Sequence, residues 1–130
     1  MNDPEVKYNA QVVLDYQPTF IKHISGLWLL VAGKDPFAEI YSANTMRKVK
    51  VVETPGRVIS AEGNKQYCII GNTNKEILVY SLRELQLVKR LSTLQPPTTM
   101  CLLRENILVY GLGDEGYGCV QLAGNFIMFE

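Results

Sequence analysis

The sequence predicts an all-β protein, a partial β-propeller of about three four-stranded antiparallel blades with one extra N-terminal strand. Three observations carry this. An apolar run that closes on glycine occurs at residues 27–33, 67–71 and 107–111. Each run is followed by a short polar turn and a second β-rich run, at residues 38–42, 76–82 and 118–122. The repeat is about 40 residues long, the period of one propeller blade.

The elements follow in order. Residues 1–17 form an N-terminal segment in which 10–16 (AQVVLDY) is β-prone. Lying ahead of the first blade, it is expected as an outer strand for a neighbouring blade, with a flanking strand on the same sheet as the competing topology. Blade 1 spans residues 18–54, with strands at 20–24, 27–33, 38–42 and 47–53. Blade 2, residues 55–95, opens with a short strand at 58–61. The turn Glu62-Gly63-Asn64-Lys65 follows, because Gly and Asn tolerate the positive φ of a tight reversal. Residues 66–71 (QYCIIG) are nearly all apolar, the mark of a strand buried on both faces. After a polar turn at 72–75, residues 76–82 (EILVYSL) supply the third strand and 86–91 (QLVKRL) a half-exposed outer strand. A helix over 81–94 competes there: Leu82, Leu85, Leu87, Val88 and Leu91 could form a stripe, and Ser81-x-x-Glu84 mimics a capping box. The matching segments of the other repeats lack a helical period, so the extended strand is expected. Blade 3, residues 96–130, has strands at 98–103, 106–111, 118–122 and 125–129.

On these residues the chain resembles the WD40 family of β-propellers. In blade 2, Gly63-Asn64 takes the first turn, Gly71 the small residue closing the second strand, Asn74 the place of the usual Asp, and Tyr80-Ser81 the place of Trp-Asp. Blade 1 matches with Gly33, Asp35 and Tyr41-Ser42; blade 3 keeps Gly111 and Asp114 but ends on Gln121-Leu122. No repeat has the Gly-His pair or a true Trp-Asp. The resemblance implies blades without the usual hydrogen-bond network, held by apolar packing, with Trp28, Tyr41 and Tyr80 filling the gaps between them.

Propellers close with about four to eight blades, so three would leave an apolar flank open at each end. Such a surface needs a cover. The expected partner is therefore another protein chain, or a second copy of this one, that completes the ring. With 13 basic and 13 acidic residues, the composition advertises neither nucleic acid nor an anionic membrane, and nucleic-acid binding is not expected. The modest basic clusters Arg47-Lys48-Lys50 and Lys89-Arg90 read as solvated rim, with phosphate contact as their functional alternative. No apolar run approaches the roughly 20 residues of a membrane span, and residues 1–11 lack the pattern of a secretory signal. An intracellular setting, cytoplasmic or nuclear, is expected. Cys68, Cys101 and Cys119 read as small buried hydrophobes, since three cysteines without paired spacing make neither a disulfide framework nor a zinc ribbon.

Catalytic constellations are not assembled by the sequence, and neither an enzyme nor a cofactor is expected. His23 is the only histidine and sits in an apolar strand. Asp114 and Glu115 are adjacent in a Gly-rich turn, where their side chains diverge. Residues 111–116 fit G-x-G-x-x-G, but a strand follows instead of the helix that would present N–H groups to a pyrophosphate. The function expected is a protein-interaction scaffold. Its binding face is assigned by family resemblance to the turns at 54–57 and 92–97 and to those at 34–36, 72–75 and 113–117. The candidate interaction residues are Asp35, Arg57, Asn72, Asn74, Asp114, Glu115 and Tyr117, with Arg57 and Tyr117 the types that most often anchor interfaces. The runner-up is an enzyme or small-ligand-binding domain whose site forms at a subunit junction, with Asp35, Asp114 and Glu115 around the central channel.

Overall fold

The computed structural model describes residues 11–130. Twelve strands form three four-stranded sheets, each an antiparallel meander of consecutive strands. Blade 1 holds β1 (Phe20–Ile24), β2 (Trp28–Ala32), β3 (Phe37–Ser42) and β4 (Lys48–Glu53). Blade 2 holds β5 (Val58–Gly63), β6 (Tyr67–Asn72), β7 (Glu76–Ser81) and β8 (Leu87–Ser92). Blade 3 holds β9 (Met100–Leu103), β10 (Ile107–Gly111), β11 (Tyr117–Gln121) and β12 (Met128–Phe129). The first strands are innermost: β1 packs beside β5, and β5 beside β9.

Alternation along each strand divides the apolar residues between two cores, because successive side chains point to opposite faces. Cys68, Ile70, Leu78 and Tyr80 of blade 2 pack on Leu30, Ile40 and Val52 of blade 1. Their neighbours Ile69, Ile77, Val79 and Leu91 pack on Leu108, Tyr110 and Val120 of blade 3. Blade 2 is thus apolar on both faces, as the unbroken QYCIIG run requires. Trp28 and Tyr80 do fill the first inter-blade gap. Tyr41 is buried too, but on the far side of blade 1.

The turns repeat as faithfully as the strands. Met46 N–H donates to the Ser42 carbonyl at 2.9 Å, and Leu85 N–H to that of Ser81 at 2.7 Å. Both turns place a non-glycine residue at positive φ, Met46 at 60° and Leu85 at 55°. The Ser81 hydroxyl accepts from Glu84 N–H at 3.4 Å, so the capping-box pattern marks a real turn, but β8 follows it and no helix forms.

Three local readings change. Strand β5 runs on to Gly63, so the reversal lies at 64–66, and neither Gly63 nor Asn64 has positive φ. Gly63 is small because a Cβ there would strike Ile24 of blade 1. Strand β12 has only two residues, since Gly124 at φ 79° and Phe126 at φ 56° bend the chain just before it. The glycine-rich loop of blade 3 holds a 3-10 turn over Gly113–Glu115, closed by the Leu112 N–H to Gly116 carbonyl bond at 2.8 Å. The strand expected at 10–16 does not form over the described residues 11–16, and Ala10 lies outside them.

Candidate protein-interaction surface

One end of the three sheets gathers the turns between second and third strands together with the links between blades. Thr54 N–H donates to the Pro36 carbonyl at 3.0 Å, and Thr93 N–H to that of Lys75 at 2.9 Å. The Thr54 hydroxyl donates to the Gly56 carbonyl at 2.6 Å, and its repeat mate Thr93 to that of Gln95 at 2.7 Å. Arg57 and Thr73 exchange two bonds, at 2.9 Å through Thr73 N–H and at 3.1 Å through the Thr73 hydroxyl. These bonds tie each link to the neighbouring turn and give the face a fixed shape.

Six of the seven predicted residues lie exposed at this end: Asp35, Arg57, Asn74, Asp114, Glu115 and Tyr117. Tyr117, at the start of β11, is 73% exposed. Asn72 does not join them, because its side chain is fully buried. It shapes the turn instead: Oδ1 accepts from Asn74 N–H at 2.8 Å and Nδ2 donates to Glu76 Oε1 at 3.3 Å. Asp114 and Glu115 line a groove of about 320 Å³ with Gln95, Pro96, Thr98 and Leu112. They stay away from the cleft along the inner strands, which is lined by Phe20, Lys22, Ser60 and Thr99 among others and carries no carboxylate. The acidic channel of the runner-up reading is therefore not formed by these residues. Among the described residues no group of three or more His, Cys, Asp or Glu side chains lies together as a metal site.

Two polar networks brace the blades where the resemblance implied apolar packing alone. In blade 2, Arg90 grips Glu76 Oε2 through Nη2 at 2.6 Å and Nε at 3.2 Å. Burial raises the Glu76 carboxyl, but the bonds from Arg90 and Asn72 outweigh it and leave the pKa below its ordinary value. In blade 1, Glu39 accepts from Tyr16 at 2.6 Å, Lys48 at 2.9 Å and Tyr41 at 3.0 Å. Again burial raises the carboxyl, the three donors outweigh it, and the net shift is downward. Tyr16 and Tyr41 are both pushed up, by burial first and the carboxylate second. The one signal in the sequence was a lone Glu in the run FAEIYS, sharing its face with Tyr41.

These networks also engage part of the basic clusters. Lys48 and Arg90 are paired with carboxylates, and Lys50 donates to the Leu85 carbonyl of the next blade at 2.6 Å. Arg47 and Lys89 stay exposed beside them. Of the cysteines, Cys68 is buried, Cys119 half-buried and Cys101 exposed, because β9 is an inner strand whose odd residues face away from blade 2.

The two outer flanks are apolar. Blade 3 shows Leu103, Ile127 and Phe129 at 51%, 50% and 61% exposure. The register sets Cys101, Val109, Cys119 and Phe129 in one row across that face. Blade 1 shows Ile21 at 61%. There, Val12, Leu14 and Pro18 lie over Leu29, Val31 and Tyr41 around a small apolar groove.

No family model matches the chain, and no curated protein matches it. Solved structures do. The chain is similar to the WD40 repeats of RRP9, with a TM-score of 0.80 at 16% identity over 92% of this chain and 39% of that one. It is similar to Kuenenia stuttgartiensis hydrazine synthase, with a TM-score of 0.78 at 12% identity over 97% and 38%. It is also similar to BBS1N solved in complex with ARL6DN, with a TM-score of 0.75 at 17% identity over 91% and 38%. The chain thus spans about two-fifths of the length of these structures, and its fold is three consecutive blades of a WD40-like β-propeller.

Proposed function

We propose that the chain is a non-catalytic protein-interaction scaffold inside the cell, a partial WD40-like propeller whose flanks are covered by further blades within a larger complex. Those blades come from a partner chain or a second copy. The observation that carries this is the open apolar flank of blade 3, where Leu103, Ile127 and Phe129 stand exposed on a face that an internal blade junction would bury, together with a blade 1 flank covered only by the segment at 11–18. An uncovered apolar face of this kind marks an interaction surface. BBS1N, a structure of like fold, is solved with a protein bound, which supports the same use here. The turn face bearing Asp35, Arg57, Asn74, Asp114, Glu115 and Tyr117 is the second contact surface in this reading. Its rim is polar and its anchors are an arginine and a tyrosine, the composition of a protein interface.

The test is native mass. Light scattering on the purified chain over a hundredfold concentration range, and on the material isolated from its source, should show a discrete assembly heavier than the 14.6 kDa of one chain. A single long-lived monomer under both conditions would remove the scaffold reading.

A further inference from the structure

The flank of blade 1 is already occupied, and by the chain itself. Leu29 lies opposite Tyr41 and Val31 opposite Glu39. In blade 2 the same register pairs Cys68 with Tyr80 and Ile70 with Leu78. Those four residues are the face that blade 1 covers. By repeat position, then, Leu29, Val31, Glu39 and Tyr41 are the face that a preceding blade would cover. Residues 11–18 lie there instead.

Three contacts hold them. The Tyr16 hydroxyl donates to Glu39 at 2.6 Å, and the Tyr16 ring meets Phe37 edge-on at 5.2 Å between centroids. Leu14 and Pro18 close over the apolar residues. Gly33 makes room: a Cβ there would stand 2.8 Å from the Gln17 carbonyl and 2.9 Å from the Tyr16 ring. Where blade 2 has Leu78 on this face, blade 1 has Glu39, a carboxylate to which Tyr16 adds the shortest of three bonds beside those from Lys48 and Tyr41 of blade 1 itself, and an apolar blade in place of residues 11–18 would supply no such donor.

We propose that residues 11–18 are a latched cover on blade 1, and that a preceding blade reaches this flank only after Tyr16 lets go of Glu39. Access by a preceding blade rests on the scaffold reading, whereas the latch is a property of the isolated chain. The substitution Tyr16→Phe removes the hydroxyl and keeps an aromatic ring that chymotrypsin also cleaves. Losing one hydrogen bond to a buried carboxylate should speed cleavage after residue 16 roughly tenfold to a hundredfold. Binding of the apolar dye 8-anilinonaphthalene-1-sulfonate should rise with it, while the Tm of the blades stays within a few degrees. Equal cleavage and equal dye binding in the two proteins would overturn the latch. If Tyr16→Phe lowers the Tm of the whole fold, Leu14→Ala decides, since Leu14 belongs to the cover alone: faster cleavage after residue 16 supports the latch and an unchanged rate refutes it. In light scattering, an opened cover should bring assembly to lower concentration. A chain that stays monomeric with fast cleavage in Tyr16→Phe would sink the scaffold reading and leave the latch standing.

Discussion

The side-chain amide of Asn64, in the turn after β5, donates to the backbone carbonyl of Glu105 in the next blade at 2.7 Å. The same side chain accepts from Gln66 and Tyr67 N–H, each at 2.8 Å. Asn64 therefore fixes its own turn and joins blade 2 to blade 3. Asn64→Ala should lose all three bonds and cost about 1–2 kcal/mol, because two part-buried backbone donors lose their partner. Asn64→Asp keeps the acceptor but sets a carboxylate against a carbonyl, so the turn should survive while the junction weakens. Urea denaturation should rank the proteins wild type, then both variants below it, with unchanged slope. Equal stability of all three would show that the junction carries no load.

Gly71 stands where the two inner layers of the second junction meet. A Cβ on it would lie 2.8 Å from both Pro97 and Met100 and closer still to the Ser60 hydroxyl. That hydroxyl donates to the Pro97 carbonyl, so it has a fixed place. Gly71→Ala should push β5 and the link into blade 3 apart and destabilise the fold by about 1–3 kcal/mol, the usual cost of overpacking. Gly71→Ala combined with Ser60→Gly should recover part of this. A single variant as stable as wild type would mean that the junction gives way freely.

The blades were legible because each repeats the same β-rich runs and polar turns at a spacing of about 40 residues, a period shared with helical repeats but here filled with strand-forming sequence. Residues 67–71 and 76–80 alternate between two cores, and no solvated face interrupts them. The turn at 81–86 was ambiguous, since Ser81 caps a tight turn with the same bonds that would start a helix. What stayed hidden were long-range polar pairs. Tyr16 and Glu39 are 23 positions apart, and Asn64 and Glu105 are 41. No local pattern announces either. The candidate face was legible as a set of turns, but Asn72 was misjudged, because an amide that builds an Asx turn and one that offers itself to a partner look alike in sequence.

The three cysteines should separate by chemistry as they do by place. Cys68 is fully buried among blade 1 and blade 2 side chains, and burial pushes its thiol up to about 12. Thiolate is the reacting form, so this thiol is inert while the fold holds. Cys101 is exposed on β9. Iodoacetamide at pH 8 should alkylate Cys101 within minutes and leave Cys68 untouched until urea is added, as read by peptide mass spectrometry. Native labelling of Cys68 at a comparable rate would mean that the first inter-blade core opens readily.

The pair Glu76–Arg90 should make blade 2 sensitive to acid. The carboxylate is nearly buried, Arg90 donates twice to its Oε2, and its pKa in the folded chain is below the ordinary value. A depressed carboxyl stabilises the fold above the unfolded pKa, about 4.3, and that contribution is lost as pH falls through the lower, folded value. Glu76→Gln keeps the shape and removes the charge. At pH 7 it should be less stable than wild type by about 1.5–3 kcal/mol, the worth of hydrogen bonds to a charged group. By pH 3 the gap should narrow, because the wild-type carboxyl is then taking up its proton. Urea denaturation of both proteins from pH 7 to pH 2.5 measures the gap directly, and other titrating groups cancel between them. A gap that stays constant over that range would mean the charge on Glu76 contributes nothing, and that Arg90 holds the strand by packing alone.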